Sequence, residues 1–130
     1  MTTMTVAPAL ADTAAGTTTG TAARQVEVRT GAGWFSVCGL ARLTPGRGVA
    51  ALLPDGTQAA VFLDRGGRAY AIGNRDPFTG AYVLSRGLLG SAGGAPFVAS
   101  PLLKQRFDLA TGRCLDDEEI SVPVFSCRTS

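Results

Sequence analysis

Short apolar runs alternate with turn residues from residue 26 onwards, and this alternation constrains the fold most strongly. Runs such as Trp34–Cys38, Gln58–Leu63 and Ile120–Phe125 are short, and no sustained 3.6-residue period joins them. Turn pairs such as Asp55-Gly56 lie between runs and favour tight hairpins. About seven or eight strands follow, with a turn signal roughly every 8–12 residues. The sequence therefore predicts an all-β fold, an antiparallel β-sandwich or small barrel.

Two longer connections interrupt the predicted strands, at residues 73–94 and 100–104. Residues 81–89 could hold a helical turn, and Ser91–Pro96 is predicted as a loop. The Gly-rich stretch Gly87–Gly94 lacks the Gly-Lys-Ser/Thr of a phosphate-binding loop. Long loops on a β scaffold commonly carry function, so these two connections are the first candidates for a site. The other predicted strands are Val49–Leu53, Arg68–Ile72, Phe97–Ser100 and Gln105–Leu109.

The chain contains no histidine, which excludes Ser-His and Cys-His nucleophilic pairs and the imidazole ligands of most zinc sites. Its three cysteines, Cys38, Cys114 and Cys127, are widely spaced and form no Cys-x-x-Cys motif. We expect them to be free thiols that behave as small apolar residues in a reducing compartment.

The first 25 residues form a Thr/Ala/Gly-rich tail, which we expect to be disordered because it offers little apolar surface to bury. Residues 26–130 are predicted to form the single domain. No signal peptide and no membrane span are evident, and a net charge of +2 does not favour nucleic acid. The expectation is a cytoplasmic protein with neither a membrane nor a nucleic-acid partner.

The two long connections carry paired motifs, "DPFTGA" from Asp76 and "SPLLKQRFDLATG" from Ser100. Together they resemble the two boxes of a Rieske iron–sulfur domain, each of which supplies one Cys and one His to a [2Fe–2S] cluster. The resemblance implies a Rieske-like β fold in which the two loops approach one another.

The four ligand positions of these boxes hold unsuitable residues, namely Asp76, Phe78, Ser100 and Leu103. Phe and Leu have no donor atom, and a serine hydroxyl is a poor substitute for thiolate. We therefore predict no cluster and no metal in this chain. Phe78 and Leu103 are expected to fill the volume of the cluster, while Asp76 and Ser100 hold loop N–H groups through Asx- and Ser-type turns.

The resemblance extends over five motifs, two of which contain the start of the boxes above: "LTPGRGV", "NRDPFTGA", "LSRG", "ASPLLKQRF" and "CLDDEEISVPVF". With them the chain resembles the small subunit of assimilatory NAD(P)H-dependent nitrite reductase. This resemblance implies a subunit without catalytic residues or cofactors. Its large-subunit partner would carry siroheme, an iron–sulfur cluster and FAD, and would reduce nitrite to ammonia. Whether the chain counts as an enzyme is left open.

Basic and apolar residues around the two loops predict a protein-binding surface with an apolar centre and a basic rim. The acidic run Asp116–Glu119 is interpreted as a solvated turn, since it lacks the ligand spacing of a calcium loop. The candidate partner-binding residues are Arg75, Phe78, Tyr82, Arg86, Leu102, Lys104 and Arg106.

Two other functions stay open at this stage. One is an electron carrier with an iron–sulfur cluster, which all four ligand positions disfavour. The other is a free-standing binding or regulatory module that reuses the cluster pocket for a small ligand. The packing of Phe78 and Leu103 distinguishes the second possibility, because a ligand needs a cavity between the loops.

Overall fold

The structure, a computed structural model, describes residues 24–129. This part of the chain is all-β, as predicted, and contains ten strands and two 3-10 turns, Leu40–Arg42 and Leu84–Arg86. The strands are β1 (Gln25–Thr30), β2 (Gly33–Gly39), β3 (Gly48–Leu52), β4 (Gln58–Leu63), β5 (Ala69–Gly73), β6 (Leu88–Ala92), β7 (Ala95–Ala99), β8 (Arg106–Asp108), β9 (Val124–Phe125) and β10 (Cys127–Thr129).

The strands form three sheets, all with antiparallel pairing. We call them the terminal sheet (β10-β1-β2), the middle sheet (β3-β4-β5-β9) and the loop sheet (β6-β7-β8). The first and last strands are neighbours in the terminal sheet, where Val26 pairs with Thr129. Among residues 24–129, no helix has the length and apolar character needed to cross a bilayer.

The middle sheet is covered on both faces, and each face has its own apolar core. Val61 of β4 packs with Val26 and Val37 of the terminal sheet. Phe62, the next residue of β4, packs with Val98 and Phe107 of the loop sheet. Because successive side chains of a strand point to opposite faces, the uninterrupted apolar sequence of β4 belongs to a strand that is buried on both sides.

The loop prediction for Ser91–Pro96 is wrong except at Gly93-Gly94, and the predicted connection 73–94 is shorter, because Leu88–Ala92 form β6 and Ala95–Ala99 form β7. Gly87 and Gly90 indicated a break near β6, but Gly90 is required by packing: a Cβ there would lie 2.7 Å from the Phe97 ring. The turn to β7 is Gly93-Gly94, both with positive φ.

Two other predicted boundaries change. Only Val124–Phe125 of the predicted strand Ile120–Phe125 pair as β9. The predicted tail lies outside the described residues except for Arg24 and Gln25, and Gln25 already belongs to β1. The helical turn that residues 81–89 could hold is present as Leu84–Arg86.

Candidate functional site: two linked loops

The two loops at the candidate site have the same hydrogen-bonding pattern. In the first, Asp76 N–H donates to Ala81 O (2.8 Å) and Gly80 N–H donates to Asp76 O (2.7 Å). In the second, Ser100 N–H donates to the carbonyl five residues on (2.8 Å), and Lys104 N–H donates to Ser100 O (3.1 Å). Each loop is therefore closed by its own backbone.

The residue before the end of each loop adopts a left-handed conformation. Gly80 has a φ of 81°, and Lys104 has a φ of 67°. Lys104 is the one non-glycine residue with positive φ in residues 24–129. A side chain in this conformation is strained, whereas glycine adopts it freely.

A buried hydrogen bond joins the two loops. Ser100 Oγ donates to Asp76 Oδ2 at 2.6 Å, and both residues are almost completely buried. Asp76 Oδ1 accepts from Phe78 N–H (2.8 Å), and Ser100 Oγ accepts from Leu102 N–H (3.3 Å). The predicted turns at Asp76 and Ser100 are thus confirmed, and each side chain is also a hydrogen-bond partner of the other.

The prediction that two apolar side chains fill the cluster volume is half right. Phe78 packs against the second core, with its ring centroid 6.2 Å from that of Phe107. Leu103 points outward instead and is 55% exposed. The Asp76–Ser100 hydrogen bond occupies the junction that Leu103 was expected to fill, so this part of the prediction is wrong.

The residues present do not fit a [2Fe–2S] cluster. Asp76 and Ser100 are bonded to each other, and Phe78 and Leu103 offer no donor atom. Among the described residues, no three His, Cys, Asp or Glu side chains come together as a potential metal site.

The three cysteines occupy none of the four ligand positions. Cys38 and Cys127 belong to or pack against the first core, and Cys114 lies in the second. Burial raises the pKa of Cys38 to about 11 against the effect of Arg42. Burial, with a smaller contribution from Cys38, raises the pKa of Cys127 to about 11. These two thiols stay protonated at neutral pH and are poor ligands or nucleophiles.

Asn74, which the sequence reasoning did not single out, holds the base of the first loop. Its buried side chain donates to Gln58 Oε1 (3.0 Å) and Tyr82 O (3.3 Å), and its Oδ1 accepts from Ser85 N–H (2.8 Å). The position lies inside the quoted "NRDPFTGA" motif, but nothing local reveals partners as distant as Gln58.

The candidate partner-binding residues separate into groups. Arg75 and Tyr82 are exposed and form an antiparallel bridge across the first loop. Leu102, Leu103 and Lys104 are exposed in the second loop. We call these five residues the loop face. Because the Asp76–Ser100 hydrogen bond joins the two loops, the loop face belongs to one connected structure.

The other candidates have different surroundings. Phe78 is half-buried. Arg106 forms an ion pair with Asp116 (2.8 Å) and lies over the Phe97 ring (5.6 Å). Hydrogen bonds from Arg106 connect Asp116, the first residue of the exposed acidic run, to β8. The same bonds hold the pKa of Asp116 below its usual range. Arg86 lines a separate cavity, described below.

A family model described as a Rieske-like [2Fe-2S] domain matches residues 33–130. A crystal structure assigned to an NADH-dependent nitrite reductase small subunit from Mycobacterium tuberculosis superposes with a TM-score of 0.72 at 52% identity, over 73% of this chain and 84% of that one. The NMR structure of the Escherichia coli protein NirD gives 0.60 at 44% identity, over 67% and 79%. Fold and paired loops together define a Rieske-like domain.

Comparison with curated relatives identifies a more specific family within the Rieske-like domains. The NADH nitrite reductase small subunit of Salmonella typhimurium is 45% identical over 96 residues, which span 73% of this chain and 88% of that protein. This chain belongs to the Rieske-like family of nitrite reductase small subunits. The NAD(P)H nitrite reductase large subunit of Klebsiella oxytoca is also 45% identical over 89 residues, or 68% of this chain and 9% of that protein.

Proposed function

We propose that this chain acts as the non-catalytic small subunit of an assimilatory NAD(P)H-dependent nitrite reductase in the cytoplasm. It binds the large subunit and completes or modulates it. The siroheme, iron–sulfur cluster and FAD needed to reduce nitrite to ammonia belong to that partner, and this chain contributes no cofactor.

The observation that carries the proposal is the Asp76–Ser100 hydrogen bond between the loops. It gives a partner to Asp76 Oδ2 and to the Ser100 hydroxyl proton, which would otherwise be buried unpaired, so the loops keep their relative position without a metal. A fixed pair of loops with exposed Leu102 and Leu103 suits the recognition of a protein. The match within a Klebsiella large subunit supports this, since a similar segment is there part of the same polypeptide.

The loop face is the proposed contact. Leu102 and Leu103 supply apolar area, while Arg75 and Lys104 supply charge at its rim. Tyr82, 54% exposed, adds an aromatic side chain of the kind enriched at interfaces. Arg106 contributes little, because Asp116 already pairs with it.

Co-expression with the large subunit tests the proposal. The full chain should co-purify with it, and NADH-dependent nitrite reduction should fall when the chain is omitted. Leu102→Asp/Leu103→Asp should weaken the complex by about tenfold or more. Leu52→Asp is the matched control, since Leu52 is an exposed leucine of β3 (48%) and should leave binding unchanged.

Two results would contradict the proposal. One is a large subunit whose activity and composition are the same with and without this chain. The other is an isolated chain that carries stoichiometric iron and absorbs visible light, which would favour the electron carrier. A binding module with a reused pocket finds less support, because Phe78 and the Asp76–Ser100 pair occupy the space between the loops.

A further inference from the structure

A groove runs along β6, and Gly94 of the β6–β7 turn and Pro96 of β7 also line it. Its main part is a cavity of about 900 Å³ between Leu88–Ser91 and the β4–β5 turn, which contributes Arg65 and Arg68. A second cavity of about 410 Å³ shares Leu88 with it and adds Arg47 and Arg86. We call the two together the arginine groove.

The wall formed by β6 is a free sheet edge. β6 is the outermost strand of the loop sheet, and Ser91 pairs with Pro96, which has no N–H. Ser91 therefore occupies a non-hydrogen-bonded position, and so does Leu89 two residues away. Their N–H and C=O groups therefore point away from β7, both residues line the groove, and no backbone hydrogen bond to them exists within residues 24–129.

This edge has none of the usual protection against pairing. β6 reads LLGSA, without charge or proline, and Leu88 is 75% exposed at its start. Natural edge strands commonly carry Lys, Pro or a bulge that blocks the addition of another strand. An uncharged edge beside a groove suits the recognition of an extended peptide, which adds as a further strand.

The arginines of the opposite wall of the groove indicate the charge that such a peptide would carry. Within the described residues, the guanidinium groups of Arg47, Arg65, Arg68 and Arg86 form no ion pair and no hydrogen bond. The groove contains one acidic residue, Asp64, whose Oδ1 accepts from Arg68 N–H (2.8 Å) in the turn. Four uncompensated cations along one groove favour an acidic occupant.

We propose that an extended acidic segment of the large subunit binds in the arginine groove as an added strand on β6. Its backbone pairs with Leu89 and Ser91, its carboxylates face the arginines, and an apolar side chain covers Leu88. Leu88 pairs with Ala99, which immediately precedes Ser100, so the groove begins beside the second loop and extends the loop face. The inference rests on the proposed function, since it takes the segment from that partner.

The backbone part is tested with Ser91→Pro. Because the N–H of Ser91 points away from β7, proline removes a donor to the partner and leaves the β6–β7 ladder intact. Affinity for the large subunit should fall about tenfold or more, with Ser91→Ala as the control that keeps the N–H. Unchanged thermal unfolding of Ser91→Pro establishes that the fold is retained. In the wild-type complex, the amides of Leu89 and Ser91 should become protected from hydrogen exchange.

The charge part is tested with Arg65→Glu/Arg68→Glu. This variant should bind at least about tenfold more weakly, and wild-type affinity should decrease as salt is raised. Arg113→Glu is the matched control, because Arg113 is an exposed arginine outside the groove. It should bind as the wild type does.

The possible outcomes separate this inference from the proposed function. If the wild type binds the large subunit while Ser91→Pro and the double arginine variant bind equally well, the groove is not the site and the proposed function stands. If the wild type does not bind, both are overturned. Protection of the Leu89 and Ser91 amides in the isolated chain would assign the edge to a second copy or to residues 1–23, and would overturn the inference. Light scattering and deletion of residues 1–23 distinguish those two cases.

Discussion

At the scale of single residues, the site depends on one hydroxyl–carboxylate contact. Asp76 and Ser100 lie 24 positions apart, and Asp76 Oδ2 and the Ser100 hydroxyl proton find a partner only when both loops are in place. The sequence was sufficient to predict that both would hold loop backbone, since Asp and Ser do so locally. It did not reveal their mutual bond or the outward direction of Leu103, because these depend on how two distant segments meet.

Ser100→Ala should destabilise the fold by about 1–3 kcal/mol, because it leaves a buried Asp76 oxygen without a partner. Urea unfolding measures this loss. Thr57→Ala is the control: Thr57 Oγ1 donates to Asp55 Oδ1 at the same 2.6 Å, but the pair is exposed and water replaces the bond. A loss in Ser100→Ala no larger than that in Thr57→Ala would contradict the role of burial.

The buried thiols should make the fold sensitive to alkali. The pKa values of Cys38 and Cys127 are raised to about 11 in the folded state from an ordinary 9.0, so the unfolded chain ionises first. Their contribution to stability is complete below about pH 9 and is lost as pH rises towards 11. Urea unfolding at about pH 8 and pH 10.5 should show a smaller decrease for Cys38→Ala/Cys127→Ala than for the wild type. Equal decreases would contradict this cause.

At the scale of elements, a third loop repeats the pattern of the two site loops. Asp108 N–H donates to Arg113 O (2.8 Å), Gly112 N–H donates to Asp108 O (2.7 Å), and Asp108 Oδ1 accepts from Ala110 N–H (2.7 Å). Gly112 has a φ of 79°. This loop holds none of the four ligand positions, so its presence shows that the shape arises from hydrogen bonds and one left-handed residue.

Lys104→Gly should stabilise the protein by up to about 1 kcal/mol, since relief of the left-handed strain exceeds the added freedom of the unfolded chain. Thermal unfolding measures the gain. Lys104→Ala keeps a Cβ and should show no gain, which makes it the control. A stabilised alanine variant would mean that the lysine side chain, and not the backbone conformation, is responsible.

The elements were predictable to different degrees. β4 was predicted with its observed bounds, because its apolar run is bracketed by turn residues. β6 was missed, because glycine lowers strand propensity and the reason for Gly90 is the ring of Phe97 on the neighbouring strand. A contact of this kind has no signature in the local sequence.

At the scale of the whole molecule, β4 connects the two cores. Its alternate residues enter the first and the second core, so neither core can lose its packing without affecting the other. The all-β class was predictable from the alternation of short apolar runs and turn residues. The division into two cores was not, because a strand buried on both faces shows no alternation of apolar and polar residues.

Unfolding should therefore occur in one transition. Val61→Ala in the first core and Val98→Ala in the second should each cost about 2 kcal/mol. Each should shift the midpoints of Trp34 fluorescence and far-UV circular dichroism by the same amount, as the wild type's two probes should also coincide. Separate midpoints in either variant would show that the cores melt independently.

The pairing of Val26 with Thr129 in the terminal sheet has a practical consequence. Both ends of the folded body emerge side by side, on the face of the middle sheet opposite the one that packs against the loop sheet. A linker attached at either end, or insertion of the whole body into a surface loop of a larger polypeptide, therefore requires no rearrangement of its strands. Versions tethered to a catalytic chain can thus be made with the proposed loop face and the proposed arginine groove left uncovered.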